Sequence, residues 1–312
     1  MKKQTFSIFF FLGIIGMMFV LFEQQKRQHA VLTVYVHGTL FNWRNMLAYI
    51  PGAAELTYVP DGLSSVKDLD QNTVGNQLAQ EFSSKDPKRF VYDNFYTFGW
   101  SGKLSFEQRK KSAEFLAQEL QKVLESYQLE HGVKPIVRIV TFSHGGNVAL
   151  NLAHFLPNDI QVELILIACP IQKETEILAE AFCFSKIYTI YSLNDVVQVA
   201  DPQKLYRNIR SSDGSSSLLS RRSLQIDDDK IKQACVSVNG TYLGHLELFQ
   251  LFNKHIPMVL NRLDALSEVS GKTIAYIDVP DKSFRFLNGL NVIDVLKGHS
   301  YDDKSDQHDE NL

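Results

Sequence analysis

Short apolar and β-branched runs recur along the chain, and longer stretches with helical spacing separate most of them. Apolar residues occupy most positions of these runs without a strict alternation with polar residues, which is typical of a strand buried on both faces of a parallel sheet. The predicted strands are Val31–Val36, Arg89–Tyr92 with Asn94–Phe98, Ile136–Phe142, Val162–Ile167, Ile187–Tyr191 and Ala234–Val238. A last segment, Lys272–Asp278, is predicted to add an edge strand.

The longest predicted helix spans Ser105–Glu130, where apolar residues recur at helical spacing. Ser105 and Gln108 resemble a capping box at its start. Shorter helical stretches cover Gly145–Phe155 and Leu246–Leu263. Because strands and helices alternate, the sequence predicts an α/β domain in which helices cover both faces of a mostly parallel sheet.

The first 30 residues differ in character from the rest of the chain. Phe6–Phe22 is a run of seventeen residues without a charge, close to the length of about 20 apolar residues that a membrane-spanning helix needs. The run is long for a signal peptide, and no small-residue cleavage site follows it before Ala30. We therefore expect one N-terminal transmembrane helix that anchors the protein in a membrane. The alternative is a cleaved signal and a secreted protein.

These patterns divide the chain into three parts. Residues 1–30 form the anchor or signal segment, residues 31–298 form the folded domain, and residues 299–312 form an acidic tail that we expect to be disordered. Basic residues flank the apolar run on both sides, so the positive-inside rule does not orient it.

Composition narrows the range of partners. The 312 residues carry a net charge of −3 and have a pI near 6.3, so no basic surface favours a nucleic-acid partner. Cys169, Cys183 and Cys235 lack the C-x-x-C spacing and the paired histidines of a zinc site. We expect Cys169 and Cys235 to be buried packing residues, and we expect the chain to use no metal and no cofactor.

One serine follows a predicted strand and opens a predicted helix. The segment Val140–Asn147 contains Ser143 followed by His-Gly-Gly, in the context that a nucleophile elbow requires. On such a sharp turn the residues two before and two after the serine approach the backbone closely and should be small. Gly145 satisfies this requirement, whereas Thr141 departs from the G-x-S-x-G pattern. An ordinary strand–turn–helix with a glycine-rich turn is the alternative.

An acid and a base follow two later strands. A serine hydroxyl is a weak nucleophile until a base removes its proton. Asp195 comes shortly after the predicted strand Ile187–Tyr191, and His245 follows the next one. Both lie at the edge of the sheet where the carboxyl ends of the strands meet, as does Ser143, and open α/β sheets bind ligands at that edge. Asp201 is the alternative acid, but Asp195 lies closer to the strand.

The motifs Ser143-His-Gly-Gly and Val36-His37-Gly38 make the chain similar to bacterial lipases and esterases of the α/β-hydrolase superfamily. The resemblance covers roughly Val31–Leu263. It implies the α/β-hydrolase fold and hydrolysis of carboxylic esters. In those enzymes two backbone N–H groups form an oxyanion hole, one after the His-Gly pair and one after the nucleophile. Carried over to this sequence, these are the N–H groups of Thr39 and His144.

The other histidines are expected to have supporting roles. We expect His37 to hold the oxyanion loop by hydrogen bonding, and the ring of His144 to point away from the base. His154 and His255 lie in helical patterns and are expected to be surface or satisfied core groups. Phe98-Gly-Trp-Ser-Gly102 is similar to a segment after the fourth strand of some α/β-hydrolases, which implies that Trp100 lies near the pocket.

The substrate is less constrained than the chemistry. An anchor beside the domain would place the site near lipid, which favours a lipid ester. The segments Phe41–Arg89 and Pro202–Lys230 are long enough to act as lids, and plain surface insertions are the alternative. A thioesterase, amidase or acyltransferase would use the same three residues. A non-catalytic, membrane-anchored binding protein on the same fold is a further alternative.

We predict that Phe6–Phe22 stays on the mature protein. Seventeen uncharged residues span a bilayer at a modest cost in mismatch, and the segment after them is a poor signal-peptidase substrate. N-terminal sequencing after membrane fractionation should find the intact terminus in the membrane fraction. A mature protein that starts near Ala30 and stays in the soluble fraction would contradict this prediction.

Overall fold

The computed structural model describes residues 30–39, 59–199, 220–250 and 253–284. The predicted anchor Phe6–Phe22 and the predicted tail 299–312 lie outside these ranges. Among the described residues, no helix combines the length and the hydropathy needed to span a bilayer.

The described strands form one mixed sheet. Their bounds are β1 Val31–Val36, β2 Gly62–Ser65, β3 Phe95–Gly99, β4 Ile136–Phe142, β5 Val162–Ile167, β6 Phe184–Tyr191, β7 Ile231–Val238, β8 Thr241–Tyr242 and β9 Ile274–Val279. The order across the sheet is β2-β3-β1-β4-β5-β6-β7, and β9 pairs with the far side of β7. β2 and β8 run antiparallel to their neighbours, and the other pairings of these strands are parallel.

Helices pack on both faces of this sheet. Their bounds are α1 Val74–Lys85, α2 Phe106–His131, α3 Gly145–Leu150, α4 Lys173–Glu176, α5 His245–Gln250 and α6 Ile256–Ala265. Leu78 of α1 and Leu260 of α6 belong to one buried cluster with Val140, whereas Leu116 of α2 belongs to another with Ile139. Ile139 and Val140 are successive residues of β4 and point to opposite faces. The predicted α/β class with a mostly parallel sheet is confirmed.

Most predicted strands are present. β1, β4 and β5 have the predicted bounds, and β6 and β7 each begin three residues earlier than predicted. The predicted edge strand exists as β9 and pairs parallel with β7. β2 and β8 are not among the strands predicted from the sequence. β2 and α1 lie within the segment Phe41–Arg89, so the described part of that segment, from residue 59 onward, belongs to the folded domain.

The prediction of a strand at Arg89–Tyr92 is wrong. Asp86 closes a turn there, because its side chain accepts the N–H of Arg89 at 3.0 Å and its carbonyl accepts the N–H of Phe90 at 2.9 Å. A 3₁₀ helix follows at Tyr92–Asn94, and pairing starts only at β3. Phe90 is fully buried, so its apolar character reflects packing within a turn and not membership of a strand.

The long predicted helix is confirmed as α2. The hydroxyl of Ser105 accepts the N–H of Gln108 at 3.4 Å and caps the first turn. Gly132 ends the helix in the left-handed region, at φ +72°, a conformation that glycine adopts without steric cost.

Two other predicted helices are interrupted. The segment Gly145–Phe155 forms α3 and then a 3₁₀ helix at Asn151–His154. The segment Leu246–Leu263 divides into α5 and α6. Pro257 stands in the first turn of α6, where its missing N–H costs nothing and its fixed φ favours the start of a new helix.

Candidate active site

Ser143 stands on a strained turn between β4 and α3. Its φ is +51°, in the left-handed region that residues other than glycine seldom adopt. Such a conformation costs about 1–3 kcal/mol and persists only when the surroundings enforce it. Here the N–H of Ser143 donates to the carbonyl of Ile167 at 2.9 Å, and its own carbonyl accepts the N–H of Gly146 at 3.0 Å. Ser143 therefore stands on a sharp strand-to-helix turn, which is what the predicted elbow requires.

Two glycines let the end of β1 approach this turn. A Cβ on Gly145 would lie 2.3 Å from the carbonyl oxygen of Val36, and a Cβ on Gly38 would lie 2.8 Å from Cβ of Ser143. Neither position therefore accepts a side chain without a backbone shift. The predicted need for a small residue at Gly145 is confirmed, and the loop after β1 lies directly against Ser143.

Thr141, which departs from the G-x-S-x-G pattern, is accommodated within the sheet. Its side chain is fully buried, and its hydroxyl donates to the carbonyl of Ile165 on β5 at 3.0 Å. The tight space lies on the helix side of the turn instead, where a Cβ on Gly146 would lie 2.4 Å from Sγ of Cys169. The side chain of Thr141 therefore does not obstruct the turn at Ser143.

Asp195 and His245 form a direct hydrogen bond. Oδ2 of the fully buried Asp195 lies 2.7 Å from Nδ1 of His245. An ionised carboxylate only accepts, so Nδ1 carries the imidazole proton and Nε2 is left as an acceptor. The other carboxylate oxygen, Oδ1, accepts the N–H of Gln198 at 3.0 Å. Asp201, the alternative acid, lies outside the described residues.

A short hairpin brings His245 to this acid. Ser237 and Val238 of β7 pair with β9 on one side and with β8 on the other, so β8 lies on the same side of β7 as β6. Asn239 and Gly240 connect β7 to β8 with φ values of +49° and +76°, which fits a two-residue type I′ turn. This hairpin is not among the elements predicted from the sequence, although Asn-Gly is a strong hairpin signal.

Hydrogen bonds join the end of β6 to the end of β8. The hydroxyl of Ser192 donates to the carbonyl of Val236 at 2.8 Å and accepts the N–H of Leu243 at 2.7 Å. The side-chain amide of Asn194 donates to the carbonyl of Tyr242 at 2.9 Å. Two residues that shortly precede Asp195 are thus bonded to the segment that leads into His245.

Phe142 packs against His245 and immediately precedes Ser143. Its ring centroid lies 4.7 Å from that of His245 and 4.6 Å from that of Phe249 in α5. Because Phe142 immediately precedes Ser143, the contact places the imidazole beside the strained turn. The structure therefore brings Ser143, Asp195 and His245 to the carboxyl edge of the sheet. An imidazole whose Nε2 accepts can deprotonate a serine hydroxyl within its reach.

The loop after β1 is held by His37 and Trp100. The N–H of Trp100 donates to Nε2 of His37 at 3.1 Å, and the indole Nε1 donates to the carbonyl of His37 at 2.8 Å. Since Nε2 accepts, Nδ1 carries the proton and donates to the carbonyl of Gly38 at 2.6 Å. The two rings stack with their centroids 5.7 Å apart. The predicted role of His37 in holding this loop by hydrogen bonds is confirmed.

Thr39 and His144, whose N–H groups the resemblance assigns to an oxyanion hole, adjoin Gly38 and Ser143 in the chain. Thr39 is half-buried and follows Gly38, which packs on Ser143. His144 is the first residue after Ser143, and its ring Nδ1 accepts from the side-chain amide of Asn147 at 3.3 Å. The ring of His144 is therefore engaged by α3, whereas Phe142 and Asp195 are the partners of His245.

Two further histidines occupy the positions expected of them. His154 is exposed at the surface. Nε2 of the half-buried His255 lies 2.9 Å from Oδ2 of Asp281. Burial lowers the pKa of His255, and the Asp281 carboxylate acts in the opposite direction.

The cysteines are buried and free of disulfide bonds, as predicted for Cys169 and Cys235. Burial raises the pKa of the Cys235 thiol to about 11, so this thiol is protonated and unreactive near neutral pH. Within the ranges that the structure describes, no group of three or more His, Cys, Asp or Glu side chains is arranged to hold a metal ion.

No protein-family model matches the chain, and a search of curated proteins finds no relative. The function is therefore inferred from the geometry of Ser143, Asp195 and His245 and of the loops that hold them.

We predict that the imidazole Nδ1 proton of His245 gives a far-downfield proton NMR signal, because it lies in a hydrogen bond of 2.7 Å to a buried carboxylate. Asp195→Asn should remove that signal, and Asp201→Asn should preserve it. The opposite pattern would identify Asp201 as the partner of His245.

Proposed function

We propose that the protein is a serine hydrolase with the α/β-hydrolase fold, which cleaves carboxylic esters through an acyl-enzyme. The observation that carries this proposal is the 2.7 Å hydrogen bond between Asp195 and His245 beside a serine at φ +51°. The acid, the base and the strained serine come from separate segments, and they follow one another in the order Ser, Asp, His, which is known for this fold.

In the acylation step His245 acts as the base. Its Nε2 takes the proton of Ser143 as Oγ attacks the ester carbonyl carbon, and a tetrahedral intermediate forms. Asp195 holds the imidazole in the required tautomer and stabilises the imidazolium. His245 then returns the proton to the leaving alcohol as the C–O bond breaks, which leaves the acyl group on Ser143.

The developing oxyanion needs preorganised donors. We assign this role to the backbone N–H groups of Thr39 and His144, each typically worth about 3–4 kcal/mol in the transition state. The clamp between His37 and Trp100 and the close packing of Gly38 on Ser143 support this assignment, because they fix the loop that carries the Thr39 N–H.

The deacylation step repeats the same chemistry with water. His245 accepts a proton from a water molecule that attacks the acyl carbonyl, and the returning proton releases Ser143 and the carboxylic acid. Every proton in the cycle passes through His245, so the steps need only groups of the protein and water.

An ester with an apolar acyl or alcohol part fits the rim of the site. Leu193, Val196 and Val197 surround Asp195 in sequence and are 44%, 66% and 54% exposed, and Leu246 follows His245 and is 38% exposed. Such a rim favours apolar substrates over charged ones. Together with the proposed anchor Phe6–Phe22, it supports a lipid ester at a membrane surface. A thioesterase, amidase or acyltransferase would share the triad and differ in the pocket.

We predict that Ser143→Ala lowers the hydrolysis of p-nitrophenyl esters by at least about 10³-fold, because the nucleophile is lost while the fold is unaffected. Esters of graded chain length should be assayed together with circular dichroism. Ser84→Ala, on the exposed side of α1, serves as the matched control and should keep wild-type rates.

Near-wild-type turnover by a folded Ser143→Ala protein would reject the proposed triad. A wild-type protein that neither turns over these esters nor reacts with a fluorophosphonate would favour the alternative of a non-catalytic binding protein.

A further inference from the structure

Arg222 contacts the backbone of the turn that carries the acid. Its Nη2 donates to the carbonyl of Leu193 and to the carbonyl of Asp195, at 3.0 Å in each case. Hydrogen bonds from a charged donor are stronger than those between neutral groups. The guanidinium therefore bridges both ends of a three-residue segment, and the second end is the acid itself.

Gln198 links the same arginine to the carboxylate of the acid. Its backbone N–H donates to Oδ1 of Asp195 at 3.0 Å. Its fully buried side chain donates from Nε2 to the carbonyl of Cys169 at 2.6 Å and to the carbonyl of Arg222 at 3.2 Å. Asp195, Gln198 and Arg222 thus form a closed ring of hydrogen bonds, which fixes both the main chain and the side chain of the acid.

The segment that carries Arg222 is anchored independently of the acid. Arg221 and Ile171 exchange two backbone hydrogen bonds of 2.8 and 3.0 Å. The buried side chain of Gln233 accepts the N–H of Leu224 at 2.9 Å and donates to the carbonyl of Leu224 at 2.9 Å. Arg222 therefore reaches the acid turn from a segment that is already fixed to the sheet.

Packing does little to hold the acid turn. Leu193, Val196 and Val197 are all exposed, so burial of their side chains contributes little to the conformation between β6 and Gln198. The position of Asp195 depends instead on polar contacts, and Arg222 makes two of those with the main chain. Without them the carboxylate could shift while the rest of the domain kept its fold.

We propose that Arg222 is a positioning residue for Asp195, which keeps the acid aligned with His245 during turnover. This inference rests on the proposed serine hydrolase function. A misplacement of about 1 Å at a catalytic group can cost about 10²-fold in rate, so a loss of Arg222 should appear in kcat and not in substrate binding.

The test compares Arg222→Met with Arg221→Met. Arg221 is the adjacent, exposed arginine, and its guanidinium contacts Glu176 at 3.3 Å instead of the acid turn. Arg222→Met should lower kcat for a p-nitrophenyl ester by about 10- to 100-fold with little change in KM. Arg221→Met should stay within about twofold of wild type. Arg222→Lys keeps a charged donor and should recover most of the lost kcat.

A double-mutant cycle separates positioning from general stabilisation. Arg222 is proposed to act through the acid, so its loss should matter little once the acid is removed. The double mutant Asp195→Asn/Arg222→Met should therefore be labelled at Ser143 by a fluorophosphonate at a rate within about twofold of that of Asp195→Asn alone. A residue that only stabilises the fold would lower the labelling rate by the same factor in both backgrounds.

The outcomes distinguish this inference from the function on which it rests. If wild type is unreactive towards the ester and the phosphonate, the proposed function fails, and this inference fails with it. If wild type reacts through Ser143 but Arg222→Met matches Arg221→Met, or Arg222→Lys recovers nothing, or the cycle is additive, only the role of Arg222 is overturned.

Discussion

The hydrogen bond between Asp195 and His245 is the interaction on which the site depends. A fully buried carboxylate without a partner is costly, by several kcal/mol, so Asp195 can occupy its position only because His245 and the N–H of Gln198 satisfy it. The hydrogen bond between Asp195 and His245 requires the end of β6, which precedes Asp195, to lie beside the end of β8, which precedes His245. The Asn239-Gly240 turn and the bonds through Ser192 and Asn194 bring them together.

The site also requires a strained backbone at Ser143, and burial in the sheet offsets the free-energy cost of that strain. A left-handed serine costs about 1–3 kcal/mol, comparable to the contribution of one buried Leu or Phe side chain. The flanking strands β4 and β5 are almost entirely buried, so the surrounding core can sustain the turn. Gly38 and Gly145 then allow the loop after β1 to pack against it.

Much of this arrangement is predictable because it follows from periodicity. The apolar runs that form β1, β4 and β5 mark buried strands, and the carboxyl ends of parallel strands share one edge. Ser143, Asp195 and His245 could therefore be placed together from sequence alone. The ring of hydrogen bonds through Arg222 and Gln198 could not be predicted, because single side chains that bond to carbonyls distant in sequence leave no periodic signal. The strand predicted at Arg89–Tyr92 is wrong for a related reason. Phe90 is apolar because it packs within a turn, and a buried turn can have the same composition as a strand.

Whether Ser143 is the activated nucleophile is decided by mapping the residue that a fluorophosphonate modifies. The folded protein should gain a single phosphonyl group, and peptide mass spectrometry should locate it on Ser143. A modification on any other residue, or no modification of a folded protein, would contradict the assignment of Ser143 as the nucleophile.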